Sequence, residues 1–232
     1  MPEVQHQPTI LIAGASRGIG LGLVREYLAR GWRVIATERK PSPALAAVAT
    51  DAGANLVIKT LDINDRANIS TLADDLDGES LDVLFVNAGV SDNPKQTINE
   101  ISTEEFAHVM VTNALSPLRI VETLSPLVRK DGSVAVMSTA LGSIANNTDG
   151  GYETYRASKV ALNMLLRSFV ARAGEQRSFL ALMPGWVKTD MGGPDAPVEV
   201  SDSVRGLADV VAQHAGKQGL VFVDYQGNTI PW

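Results

Sequence analysis

The chain of 232 residues contains no cysteine, which excludes disulfides, thiol nucleophiles and thiolate zinc sites. Histidine is scarce. His6, His108 and His214 are far apart in sequence and supply no ligand pair, so no metal site is expected. No apolar run reaches the ~20 residues that a membrane-spanning helix needs. The first stretch, Met1 to Pro8, is polar and lacks the apolar centre of a signal peptide. Basic runs are absent too. The positive charges are scattered, the net charge is −6 and the isoelectric point is about 5.1. That balance argues against nucleic acid or an anionic membrane as a partner. These absences make the cytosol the expected compartment.

What remains is ordinary for a globular protein, 45% hydrophobic and 20% charged. No repeat, linker or low-complexity stretch divides it. The length suits one large α/β domain, residues 1–232, with a sizeable core.

Short apolar, β-rich runs recur along the chain. They are Thr9 to Ala13, Trp32 to Thr37, Leu56 to Leu61, Leu81 to Val86, Ser133 to Ser138, Phe179 to Met183 and Leu220 to Asp224. Helical spacing marks Ile19 to Arg30, stopped by Gly31, and also Thr154 to Ala173 and Ser203 to His214. Thr103 to Arg119 reads as a helix, with a kinked extension past Pro117 to Lys130. Strands alternating with helices imply a doubly wound parallel sheet covered on both faces.

Two motifs carry chemistry. The turn Gly14-Ala15-Ser16-Arg17-Gly18-Ile19-Gly20 follows a strand and opens a helix. Glycines there let backbone approach a pyrophosphate, and the helix N-terminus supplies amide donors. Tyr155 and Lys159 lie at i and i+4, on one helix face. An ammonium beside a phenol lowers the phenol's pKa from ~10 toward neutrality, where it exchanges protons efficiently. A rival sits in the same letters. Gly14 to Gly18 also matches G-x-S-x-G, and Ser16, Asp190 and His214 fall in the order of an α/β-hydrolase triad. Its position after the first strand, with no oxyanion loop, argues against that reading.

The chain resembles a single-domain short-chain dehydrogenase/reductase of the Rossmann type from about Thr9 onward. Gly14, Gly18 and Gly20 match the cofactor glycines, with Ala13 in place of the usual threonine. Asp62-Ile63 matches the pair that contacts adenine. Asn87-Ala88-Gly89 matches the N-N-A-G motif, with Val86 for the first asparagine. Asn113, Tyr155 and Lys159 match catalytic positions, and Pro184 to Asp190 matches P-G-x-V-x-T. The loop from Gly142 through Gly151 is similar to the C-factor and sniffer-like carbonyl reductase branch. Ser138-Thr139-Ala140-Leu141-Gly142 departs from Ser-Ser-x-x-Gly, so Thr139 takes the substrate-oxygen position, with Ser143 and Ser138 as alternatives.

The resemblance implies reversible reduction of a ketone or aldehyde. Tyr155 would donate the proton, Lys159 would tune Tyr155 and hold the nicotinamide ribose, Thr139 would hold the substrate oxygen, and Asn113 would anchor a water linking Lys159 to solvent. Ser16, Arg17, Ile19, Pro184, Gly185, Val187 and Thr189 would line the cofactor. Ser143, Tyr152 and Trp186 would face substrate, within an apolar pocket that Val90, Leu141, Ile144 and Met191 complete. The cofactor signals conflict. Glu38 at the end of the second strand favours NAD(H), because its carboxylate would take the ribose hydroxyls and repel a 2′-phosphate. Arg39 and Arg17 would suit NADP(H). NAD(H) is the reading favoured here. Apolar residues beyond one helix stripe (Val160, Ala161, Met164, Leu165, Phe169) suggest a homodimer or homotetramer. The segment Asp190 to Val200 is too short and too rich in glycine and proline for a helical lid, with Gly192-Gly193 as a hinge. A non-catalytic dinucleotide sensor on the same fold is the competing class. Such a sensor would be expected to lose Tyr155 or Lys159.

Overall fold

The computed structural model describes residues 7–93, 95–173 and 176–232. His6 and most of the polar stretch Met1 to Pro8 lie outside the described residues. The apolar runs become seven strands: β1 (Thr9–Ala13), β2 (Arg33–Glu38), β3 (Leu56–Thr60), β4 (Leu81–Val86), β5 (Val128–Met137), β6 (Ser178–Met183) and β7 (Gly219–Asp224). All pair in parallel, in the order β3-β2-β1-β4-β5-β6-β7. Alternate residues along a strand face opposite sides. Along β1, Ile10 and Ile12 enter one core and Leu11 and Ala13 the other.

Helices cover both faces. On one side lie α1 (Gly18–Ala29), α2 (Pro43–Ala52) and α7 (Val200–His214). The other side holds α3 (Arg66–Asp75), α5 (Ser116–Leu124) and α6 (Glu153–Ala173), with α4 (Thr103–Met110) leading into α5. Two of these helices, α2 and α3, were not marked by periodicity. Their caps were the available signal. Ser42 Oγ accepts from Leu45 N–H with Pro43 following, and Asp65 Oδ1 accepts from Ala67 N–H.

The helix expected from Thr103 differs in two ways. Pro117 has no N–H to offer the carbonyl of Asn113. The chain widens there into a π turn, Val111–Leu115, and resumes as α5. It does not continue to Lys130. Ser125-Pro126-Leu127 forms one 3₁₀ turn, and β5 starts at Val128, ahead of the expected Ser133. The π turn brings Thr112, Asn113 and Ala114 into the interior.

Candidate active site

The strand order reverses at β1, which has β2 on one side and β4 on the other. A crevice opens beyond the carboxyl ends of such strands. Here the two ends are clasped together. Asn87 N–H and Ala88 N–H both donate to Ala13 O, and Asn87 Nδ2 donates to Gly14 O at 2.7 Å. Asn87 thus bridges strand backbone, and that bridge shapes the glycine turn.

The turn requires its glycines. Gly14 has φ +90°, and a Cβ on it would meet Ala88 at 2.7 Å. A Cβ on Gly20 would lie 2.0 Å from Gly14 O. This bare backbone ahead of α1 is a cradle that side chains would fill, so it fits the pyrophosphate of a dinucleotide. Ser16 lends its carbonyl to Ser42 Oγ. Ile19 packs against the core beneath α1. Asp62 Oδ1 accepts from Asn64 N–H after β3, and the neighbouring Ile63 is buried.

Beyond β6 a strap crosses the turn. Gly185 has φ +85° and packs against Tyr225 and Val198. The Pro184 carbonyl accepts from Ser203 Oγ at 2.6 Å, which fixes the strap to α7. Val187 is buried and bridges Val198. Thr189 Cγ2 lies 3.4 Å from where a Gly18 Cβ would be. Trp186 Nε1 donates to Gly192 O, and Gly192 N–H donates to Thr189 Oγ1. A Cβ on Gly192 would lie 2.0 Å from Val187 O. Gly192 of the expected hinge is therefore packed, whereas a Cβ on Gly193, at φ +78°, would meet nothing within 4 Å, and no helix forms in residues 190–199.

Two of the three groups expected to read the cofactor's adenosine end are already engaged. Glu38 Oε2 accepts from Ser42 N–H at 2.8 Å. Arg17 pairs with Asp190 at 2.9 Å, both side chains about four-fifths exposed at 77% and 78%. Arg39 is exposed. The hydrolase triad does not form, since Asp190 is turned to Arg17 and His214 Nδ1 to Val210 O.

On the substrate side, Tyr155 and Lys159 share one face of α6. The Lys159 ammonium is 5.8 Å from the Tyr155 ring centroid and donates to Met137 O at 2.9 Å. Burial depresses Lys159 to about 8. The expected lowering of Tyr155 is reversed. Burial pushes its hydroxyl up to about 12, with Asp92 and then Tyr152 adding to the rise. Asn113 is engaged by the protein itself. Its Oδ1 accepts from Val90 N–H, and its Nδ2 donates to Val90 O and Ser158 Oγ. It clamps the chain after β4 to α6, and only one lone pair is left for a water.

Three hydroxyls compete at the end of β5. Ser138 is buried and donates to Asn163 Oδ1. Ser143 is buried and accepts from Asn146 N–H. Thr139 is only partly buried. It accepts from Leu141 N–H, which leaves its own hydrogen free to donate. Ile144, Tyr152, Trp186 and Met191 remain exposed on the surrounding loops. Tyr152 has φ +50°, the one positive value at a non-glycine position among the described residues, and its ring meets Tyr155 edge-on at 6.4 Å. Asp92 escaped the sequence reading. It stands three positions past Gly89 without any motif of its own.

A dinucleotide cradle facing a tyrosine–lysine pair at the switch point of a parallel sheet defines a nucleotide-dependent oxidoreductase. The chain belongs to the short chain dehydrogenase family, whose model matches residues 8–198. A short-chain dehydrogenase/reductase of Burkholderia multivorans with bound NADP superposes with a TM-score of 0.95 at 47% identity, covering 98% of this chain and all of the other. A carbonyl reductase of Pseudomonas aeruginosa PAO1 in complex with NADP gives 0.92 at 41% identity, again covering 98% of this chain and all of the other. C-signal of Myxococcus xanthus is 41% identical over 159 residues, 66% of this chain and 93% of the relative.

Gly20→Ala places a methyl group against Gly14 O, where only backbone can yield. Cofactor affinity, followed by NADPH fluorescence titration, is expected to fall more than about tenfold, a loss of roughly 1.4 kcal/mol. Near-native affinity would show that the turn is not the cradle.

Proposed function

We propose that the chain is a single-domain carbonyl reductase using NADP(H). The observation that carries the proposal is the pairing of Tyr155 and Lys159 on one face of α6, with the Lys159 ammonium bonded to Met137 O, two residues before Thr139. The bound nicotinamide supplies the hydride. Tyr155 donates its proton to the carbonyl oxygen as that oxygen gains negative charge. A tyrosine at its ordinary value is already a phenol near neutral pH, the form that reduction requires. In the reverse direction the phenolate would take the proton. Thr139 donates a hydrogen bond to the same oxygen, and Lys159 holds positive charge beneath the pair. Asn113 acts through Val90 and Ser158 to fix α6. Val187 and Thr189 hold the strap. The apolar rim of Ile144, Tyr152, Trp186 and Met191 suits a hydrophobic or aromatic carbonyl compound.

A kinetic comparison tests the acid. Tyr155→Phe keeps the ring and removes the proton donor, so turnover should fall about 10²–10⁴-fold with cofactor affinity nearly unchanged. Thr139→Val should cost more than Ser143→Ala. Retention of more than roughly a hundredth of wild-type turnover in Tyr155→Phe contradicts the general-acid role.

NADP(H) replaces the NAD(H) preference for two reasons. The two solved relatives described above carry NADP. Glu38 spends its carboxylate on Ser42 N–H, which reduces its hold on ribose hydroxyls. Arg17 remains the candidate for a 2′-phosphate once it leaves Asp190, and an exposed ion pair of this kind exchanges partners at little cost. Asp190→Asn frees Arg17, so the NADPH-to-NADH efficiency ratio should rise. A ratio that does not move assigns phosphate recognition elsewhere.

A homo-oligomer is also proposed. Phe169 turns out to be core and Ala161 packs against it, but Leu115, Met164 and Leu165 stay exposed around the π turn and α6. Light scattering at micromolar concentration should report a dimer or tetramer, and a monomeric mass would refute this. The cytosol remains the proposed compartment. Among the described residues no helix is long and apolar enough to cross a membrane.

A further inference from the structure

One side chain brackets the turn that carries Thr139. Asn163 sits on the buried face of α6, one turn beyond Lys159, at 4% exposure. Its Nδ2 donates to Gly142 O at 3.1 Å, and its Oδ1 accepts from Ser138 Oγ at 2.8 Å. Those two partners lie on either side of Thr139, at the start and the end of the short turn Ala140–Gly142. Inside the bracket the turn closes on itself. Gly142 N–H donates to Thr139 O at 2.9 Å, and Leu141 N–H donates to Thr139 Oγ1 at 3.2 Å. Ahead of it, Lys159 donates to Met137 O, and Ser138 N–H donates to Leu182 O at 2.7 Å. The fit is close: a Cβ on Gly142 would lie 3.1 Å from Lys159 Cβ and 3.2 Å from Asn163 Nδ2.

The chemistry of the partners fixes the direction of each bond. Gly142 O can only accept, so the amide nitrogen of Asn163 must face it. The amide oxygen is then left toward Ser138, and that oxygen has no hydrogen to give. Ser138 therefore spends its single hydrogen on Asn163 and has none for a substrate oxygen. Thr139 is in the opposite position. Its oxygen receives Leu141 N–H, and its own hydrogen is left for another acceptor.

We propose that Asn163 is a positioning residue for Thr139: its amide pins both ends of the turn that carries the threonine to the helix that carries Tyr155, and withdraws Ser138 from the substrate oxygen. This rests on the reading of Thr139 as the group that holds that oxygen. Thr139 and Tyr155 must reach one atom together, and a misplacement of about 1 Å costs on the order of 10²-fold in rate. Thr139 lies just past β5 and Tyr155 lies on α6, so local chain geometry does not set their spacing. The bonds between the two elements set it. Lys159 holds the chain two residues before Thr139, and Asn163 holds it on either side. Asn163 stands about two helical turns from Tyr155 and acts only through the turn.

A double-mutant cycle tests this, read as single-turnover hydride transfer from NADPH to an aryl ketone so that slow variants stay measurable. Asn163→Leu is close in size and removes both bonds. Transfer should slow about tenfold or more, with NADPH affinity unchanged by fluorescence titration. In a Thr139→Val background, where the hydroxyl is already gone, the same change should cost less than about twofold further. Ser138→Ala removes one arm of the bracket and keeps the test open should Asn163→Leu fail to fold. It should slow the wild type by a smaller factor and likewise cost less than about twofold in Thr139→Val. Equal losses in the two backgrounds overturn the proposal: for Asn163 the effect then bypasses Thr139, and for Ser138 that hydroxyl then meets substrate itself. Either variant as fast as wild type overturns it too. Failure of the underlying reading appears separately, as a Thr139→Val enzyme of undiminished rate before any change at Asn163.

Discussion

Lys159 is a charged side chain buried to 3% exposure, and the carboxyl edge of the sheet is built around accommodating it. A buried ammonium is costly unless it finds acceptors. It finds Met137 O, at the last residue of β5, and this contact ties α6 to the sheet. Its neighbours conform. A Cβ on Gly142 would lie 3.1 Å from Lys159 Cβ, and one on Gly89 would lie 3.2 Å from Asn113 Oδ1 and 3.5 Å from Lys159 Nζ. Asn163, one turn further on, donates to Gly142 O and accepts from Ser138 Oγ. Polar groups therefore line the buried side of α6 where the site requires them. Leu162, Leu166 and Phe169 pack that helix into the core beyond.

The same economy governs the cofactor side. Asn87 holds Gly14, the Gly14 carbonyl excludes any side chain at position 20, and the strap after β6 lies against Gly18. Two charged groups expected at the adenosine end bond to the protein itself, Glu38 to Ser42 and Arg17 to Asp190, while Arg39 is exposed. On the proposed reading, cofactor choice is a competition between protein partners and phosphate, rather than a count of acidic against basic residues.

Legibility from sequence followed how local each feature is. β1 and β4 were readable to the residue, because a continuous apolar run bounded by turn residues has few alternatives. The glycine turn and the Tyr155–Lys159 pair were readable because their spacing is their geometry. α2 and α3 were passed over; α2 buries only Leu45 and α3 only Ile69 and Leu72, too few apolar positions for a periodic signal. The junction of α5 and β5 was misread because the π turn absorbs Pro117 without ending the helix, while Pro126 does end it. The side chain of Glu38 and the direction of the Tyr155 shift were out of reach. Each depends on a contact made on folding, and Asp92 lies 63 positions from Tyr155 along the chain.

The central claim is that this site passes a hydride to a carbonyl carbon while Tyr155 protonates the oxygen. Isotope transfer tests it most directly. NADPH deuterated at C4, on either face, is incubated with an aryl ketone and the purified protein, and the product is analysed by mass spectrometry and NMR. The account predicts one deuterium on the carbinol carbon, delivered from one face of the cofactor only, with the hydroxyl proton drawn from solvent. Bound NADPH with no label transferred to any member of a carbonyl panel would contradict it and favour a non-catalytic dinucleotide-binding protein.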